Sequence, residues 1–195
     1  MSTLIALDVA LLPPADVSKR AVEYSAALPA EGSDVLRLDA DHLPHITLTQ
    51  QFIRQEELDA AYERIDDVLR DYPPIDLVVL SAESIGQTIS LSVGRTPELV
   101  ALHERIMEVL RGLERAEGGP GAFFGGEGRV GDVLWVSGYR LKSSFAEYRP
   151  HITLGYGEEP PSVEPFRFRA TTAAACHLGR FCTCRRVLKT WTLGT

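Results

Sequence analysis

The sequence predicts an α+β fold: a bilobal, pseudo-twofold arrangement in which two mainly antiparallel sheets face a central cleft and the helices lie outside. Three observations predict it. Helical-period stretches are mixed with strand-like runs that read mostly as antiparallel hairpins, not as a regular βαβ winding. The 195 residues can bury a sizeable core without disulfide or metal support, as one large domain or two small lobes. The pentapeptide Pro-His-Ile-Thr-Leu occurs at 44–48 and again at 150–154. That separation is far beyond solenoid periods, so one domain over 1–195, with one motif strand per lobe, explains the repeat better than an array.

The elements follow in order. TLIALDVALL at 3–12 reads as an opening buried strand, and PPAD supplies a turn with Asp16 as N-cap of a helix over VSKRAVEYSAAL. After the EGSD turn at 31–34, VLRLD and HITLTQQF read as strands. Leu58, Ala61, Tyr62, Ile65, Val68 and Leu69 recur at helical spacing until Pro73 and Pro74 stop the helix. IDLVVLSAESI and QTISLSVG read as strands, and a third helix runs from Pro97 to about Leu113, where the second half of the chain begins. EGGPGAFFGGEGRVG at 117–131 is the clearest loop, a lid or an insertion that helps wall the pocket, because its glycines cost too much backbone entropy inside an element. DVLWVSG reads as a strand, LKSSFAEYR as a connection, PHITLGY as a strand, and 166–193 as two or three more.

Composition narrows the function. A net charge of −7 opposes a grip on long nucleic acid, which draws on clustered Lys and Arg, but leaves room for a small anion. Arg180, Arg185, Arg186 and Lys189 form one basic group, and Arg140, Lys142 and Arg149 another. Three cysteines, odd in number and close together, argue against a disulfide framework and for a reducing, cytoplasmic setting. No segment approaches the roughly 20 apolar residues of a membrane span, and the opening stretch lacks the basic start of a secretion signal. The acidic surface gives no reason to expect more than a monomer.

The repeated pentapeptide carries the chemistry. On a strand His45 and Thr47 share one face while Ile46 and Leu48 point into the core; His151 and Thr153 against Ile152 and Leu154 repeat the pattern. The preceding proline cannot donate to a ladder, which suits a strand start or an edge. Two imidazoles opposed across a cleft can give and take protons near neutral pH. A phosphodiester needs that pair: a base for the attacking water or hydroxyl and an acid for the leaving oxygen, each worth about 10²- to 10⁴-fold in rate. The threonine hydroxyls would hold non-bridging oxygens.

These residues, in the settings LPHITL and YRPHITLGYG, resemble the two-histidine phosphoesterase superfamily, which includes the 2',5' RNA ligase-like proteins and cyclic nucleotide phosphodiesterases and is marked by two H-x-[ST]-x motifs. The resemblance implies a bilobal fold and metal-independent catalysis with no cofactor. It implies His45, Thr47, His151 and Thr153 as the catalytic set. Implied substrates are small nucleotides or short oligonucleotides: 2',3'-cyclic nucleotides, 2',5' linkages or ADP-ribose cyclic phosphate. Members acting on RNA ends often carry a basic residue just after a motif; here Thr49 and Gln50, and Gly155 and Tyr156, stand there. Arg149, Tyr156, Gln50 and Tyr148 are the candidate substrate-binding residues, and Trp135, Phe123 and Phe124 are further rings on which a base can stack.

Other readings compete. His42 reads as a turn residue, and His103 and His177 as structural. Cys176, His177, Cys182 and Cys184 lack the paired C-x-x-C of structural zinc sites, so Cys182 and Cys184 are expected to share a packed face, and no metal is assigned. A metal hydrolase would need a third ligand, and no carboxylate stands at a matching position in both motifs. The remaining alternatives are a nucleotide- or phosphate-binding module without turnover and a 2',5' RNA ligase.

Overall fold

The computed structural model describes residues 3–29 and 35–194, so the expected EGSD turn lies outside the described residues. Eight strands and four α-helices are present among them: β1 Leu4–Leu12, α1 Ala15–Ala27, β2 Ile46–Arg54, α2 Leu58–Leu69, β3 Ile75–Ile85, β4 Thr88–Val93, α3 Pro97–Leu110, α4 Val130–Lys142, β5 His151–Tyr156, β6 Phe166–Ala170, β7 Thr172–Leu178 and β8 Cys184–Thr192. They form two antiparallel four-stranded sheets, ordered β2-β1-β7-β8 and β5-β4-β3-β6. This is the expected α+β architecture. Each motif strand is the edge of its sheet; β5 begins at His151 directly after Pro150, and β2 begins at Ile46, just beyond Pro44 and His45, each proline having no N–H to leave unpaired.

The lobes are interleaved, not successive. β7 pairs with β1 and carries β8 with it, so the chain's last strands complete the sheet its first strands began. The end of α3 is therefore no lobe boundary. Sequence periodicity marks elements but not which distant strand an edge will pair with.

Three local expectations change. The N-cap of α1 is Pro14, with Asp16 already in the first turn and Ser18 N–H bonded to the Pro14 carbonyl. VLRLD joins no strand ladder among the described residues: Leu36 and Leu38 are buried, the Leu38 N–H donates to Ser25 Oγ, and Arg37 donates to the carbonyls of Leu36, Leu28 and Pro29. Side chains thus satisfy the backbone that a neighbouring strand would otherwise pair.

The largest change is at DVLWVSG, which lies within helix α4. Its β-branched and aromatic residues suggest a strand. A capping box overrides them: the Asp132 carboxylate accepts from the Arg129 backbone N–H at 2.9 Å and from the Arg129 guanidinium at 2.7 Å. The buried residues of α4, Asp132, Val136 and Tyr139, then fall at helical spacing.

Most strands and helices share one hydrophobic core. The glycine-rich segment belongs to a second, smaller one, in which Ala122 and Phe123 are buried with Phe52, Val136 and Leu178, and the Phe52 and Phe123 rings meet edge to face. The segment is packed down by its Ala-Phe pair, and only Arg129 and Gly131 from it line the cleft. Cys182 packs in this second cluster and Cys184 in a third with Ala10, Ala174 and Cys176, so the two do not share a face. Left-handed backbone at Phe181 and Cys182, with φ of 63° and 54°, breaks the strand alternation that sharing would need.

Candidate active site

The two motifs place their histidines alike. Ile46, Leu48, Ile152 and Leu154 are fully buried, which turns the alternate side chains toward the cleft between the sheets. His45 Nδ1 donates to the Leu43 carbonyl and His151 Nδ1 to the Arg149 carbonyl, each at 2.8 Å. A carbonyl only accepts, so Nδ1 carries the hydrogen and the neutral ring keeps its lone pair on Nε2. The same two-residue reach back across proline fixes the tautomer twice.

The surroundings then diverge. β1 and β2 pair with Asp8 opposite Gln50, which brings the fully buried Asp8 under the first motif. Asp8 Oδ2 accepts from Thr47 Oγ1 at 2.9 Å and Gln50 Nε2 at 2.7 Å, and lies 3.6 Å from His45 Nε2. Asp8 Oδ1 is buried with no hydrogen-bond partner among the described residues. Burial raises the Asp8 pKa, against the opposing pull of His45 and of the hydrogen bonds from Gln50 and Thr47. Gln50 is anchored at its other end, where Oε1 accepts from Trp135 Nε1 at 2.9 Å. No such carboxylate is paired with His151 among the described residues; burial pushes its pKa down, partly countered by the Arg149 carbonyl, and His45 pushes it down further.

All eight residues expected from the sequence, His45, Thr47, Gln50, Tyr148, Arg149, His151, Thr153 and Tyr156, line one cleft of about 630 Å³. They do not all present free groups to it. Gln50 spends its amide on Asp8 and Trp135. Tyr148 is buried, stacked on His103 at 3.9 Å, with its hydroxyl bonded to the Thr47 carbonyl, so it builds the wall and offers no open face. Thr47 spends its hydroxyl hydrogen on Asp8, whereas no acceptor for the Thr153 hydroxyl is found among the described residues. Of the other rings, Trp135 lines the cleft, Phe123 is buried against Phe52, and Phe124 lies against His177. His42 bonds Asp39 within a turn, His103 lies between Leu48 and Phe145, and His177 bonds the Ala122 carbonyl.

Sequence reasoning missed Asp8 and one end of the cleft. The available signal for Asp8 was a lone carboxylate inside an otherwise apolar strand, which burial tolerates only with partners. At the missed end Arg129 forms an ion pair with the buried Asp132, reaches the Tyr156 hydroxyl at 3.3 Å and stacks 3.9 Å over the Phe181 ring. Asp132 also accepts from the Phe181 N–H at 3.2 Å, which holds the left-handed turn in place. Reading α4 as a strand hid this cluster. Of the two basic groups marked in the sequence, Lys142 and Arg149 reach the cleft, while Arg140 is tied to Glu114.

Cys176, His177, Cys182 and Cys184, which the sequence does not support as a zinc set, do not converge as one group of ligand atoms among the described residues. Among the described residues one other trio, Asp8, His45 and Cys184, offers ligand atoms within 4.8 Å of one another. Burial raises the Cys184 thiol well above its ordinary pKa, which disfavours the thiolate a metal would take.

Two antiparallel sheets, each lending an edge-strand H-x-T motif to a shared cleft, define the class of a two-histidine phosphoesterase-like protein. The family model of the 2'-5' RNA ligase superfamily matches residues 13–187, and the chain belongs to that superfamily. Among solved structures it is similar to TT0787 of Thermus thermophilus, at 18% identity and a TM-score of 0.65 over 97% of this chain and 98% of that one. It is equally similar to E. coli LigT complexed with NADP+, at 18% identity and a TM-score of 0.65 over 98% and 99%. LigT complexed with 3'-AMP gives a TM-score of 0.63 at 18% identity over the whole of both chains. These likenesses concern the fold. Among curated protein sequences none matches the chain. No helix among the described residues is long and apolar enough to cross a membrane.

Proposed function

We propose that this protein is a metal-independent phosphoesterase that hydrolyses a 2',3'-cyclic nucleotide, a related cyclic phosphodiester or a 2',5' linkage, with His45 and His151 as the acid and base pair. One observation carries the reading: both rings are anchored through Nδ1 and leave Nε2 for chemistry in one cleft. A proton acceptor and a proton donor on either side of a phosphorus atom are what in-line displacement at phosphate requires. Arg149 and Lys142 offer positive charge to the phosphate. Thr153 donates to a non-bridging oxygen, and Thr47 does so only by giving up its bond to Asp8. Tyr156 and Trp135 offer ring surface to a base. Superfamily membership and the nucleotide complexes of the similar LigT fold support a small nucleotide as substrate. Ligation of 2',5' ends would use the same acid and base pair with a 5'-hydroxyl replacing water: its oxygen bonds to the phosphorus of a 2',3'-cyclic phosphate while the ring P–O bond to the 3' oxygen breaks.

The test is a panel of 2',3'-cyclic nucleotides, ADP-ribose cyclic phosphate and 2',5' dinucleotides, assayed in EDTA. Turnover is expected to survive the chelator and to fall at least a hundredfold in His45→Ala and in His151→Ala, with affinity for a product nucleotide largely kept. Activity that EDTA abolishes and zinc or manganese restores defeats the reading in favour of a metal hydrolase. Binding of the panel without turnover defeats it in favour of a nucleotide-binding module.

A further inference from the structure

We infer that Asp8 makes the two histidines unequal, as the positioning residue through which His45 keeps an Nε2 proton and acts as the acid, leaving His151 as the base. The inference rests on the proposed phosphoesterase reading and adds a direction to it. Asp8 Oδ2 is 3.6 Å from His45 Nε2. That is too long for a good hydrogen bond and short enough for an ion pair. The carboxylate therefore favours the charged imidazolium without taking up the Nε2–H that a leaving oxygen needs.

The carboxylate is itself held. Thr47 and Gln50 both donate to Oδ2, Trp135 fixes Gln50, and β1 carries Asp8 between β2 and β7 in the middle of its sheet. His151 stands on the other sheet, and among the described residues its ring is hydrogen-bonded only to the Arg149 carbonyl. The two rings share a backbone anchor, and a carboxylate on one side alone distinguishes them.

Other titratable groups do not supply the difference. Cys184 on β8, Cys182 before it, Tyr139 on α4 and Tyr148 before β5 all sense the Asp8 charge, and burial keeps each in its neutral form near pH 7. Asp132 is paired with Arg129. Lys142, Glu147 and Arg149 also line the cleft but are exposed, where solvent screens them.

For a cyclic phosphate the step then balances as follows. A water oxygen bonds to phosphorus while one ring P–O bond breaks. The water proton passes to His151 Nε2, and the His45 Nε2 proton passes to the freed ribose oxygen. The product is a phosphate monoester, and exchange with solvent restores both rings.

Asp8→Asn, which keeps the shape and an acceptor oxygen, tests the inference through the pH profile of kcat/KM. The alkaline limb, which reports the acid, is expected to move to lower pH by about one unit or more, with the acidic limb unmoved and the rate at pH 7.5 down about tenfold or more. An unmoved alkaline limb, or uniform loss at every pH, overturns it, because a purely structural role scales all rates together. NMR titration of imidazole-labelled protein needs no turnover. His151 is expected to lose its proton at lower pH than the Asp8–His45 pair, and Asp8→Asn to shrink that gap. The reverse order, or a gap unchanged in the variant, overturns the inference. Absence of turnover in the wild type would fail the phosphoesterase reading alone, and the titration would still decide the proton order.

Discussion

The Tyr148 hydroxyl donates to the backbone carbonyl of Thr47 at 2.9 Å, tying the approach to the second histidine motif to the middle of the first. The bond spans the two sheets at their adjoining edges, and the stack of Tyr148 on His103 holds the phenol in position.

Tyr148→Phe removes that bond and keeps the ring. A buried hydrogen bond contributes about 1 kcal/mol net, and in a chain of this size that corresponds to a fall of roughly 2–4 °C in Tm. Because the bond aligns the two motifs, kcat/KM is expected to fall about three- to tenfold. Wild-type activity together with a wild-type melting curve would remove Tyr148 from this role.

Asp8 gives a stability prediction opposite in sign to its effect on rate. Burial raises its pKa above the ordinary 3.8, so the folded protein binds this proton more readily than the unfolded chain. The stability it contributes is present below that ordinary value and is lost as pH rises through the folded one. At pH 7.5 Asp8→Asn is therefore expected to melt a few degrees above wild type, with the difference closing toward pH 4. Thermal melts across that range check it, and a variant less stable at pH 7.5 would contradict it.

His103 works the other way. Its Nδ1–H donates to the Leu48 carbonyl at 2.6 Å, and its Nε2 accepts from the Phe145 N–H at 2.8 Å, so only the neutral ring fits. Burial lowers its pKa below the ordinary 6.5. The stability it gives is thus complete above that value and declines as pH falls below it. His151 and His177, also pushed down by burial, add slope of the same sign. Tm is expected to drop between pH 7.5 and 5, and less steeply in His103→Gln, which starts from a lower Tm. An equally steep drop in the variant would assign the slope elsewhere.

The two tryptophans separate the cleft from the rest of the molecule. Trp135 lines the cleft and is 47% exposed, whereas Trp191 is 8% exposed and bonded to Asp66. Binding of a nucleotide monophosphate is expected to change the fluorescence of wild type and Trp191→Phe, and to leave Trp135→Phe silent. A response that persists in Trp135→Phe would put the ligand elsewhere.

The sequence by itself determined the two motif strands, because alternation of apolar and polar residues after a proline is a local pattern that the backbone must obey. It determined most helices for the same reason, and it named eight residues that do line one cleft. Only the tertiary structure decided what lies behind them. Strand pairing put Asp8 opposite Gln50, β7 beside β1, and Tyr148 against Thr47, contacts between residues far apart in the chain that no local periodicity encodes. It also made α4 a helix against its own composition, since the Arg129–Asp132 cap and packing on the sheet outweigh single-residue preferences. The motifs are alike in sequence, and the buried carboxylate that makes them unlike comes from a strand that carries neither.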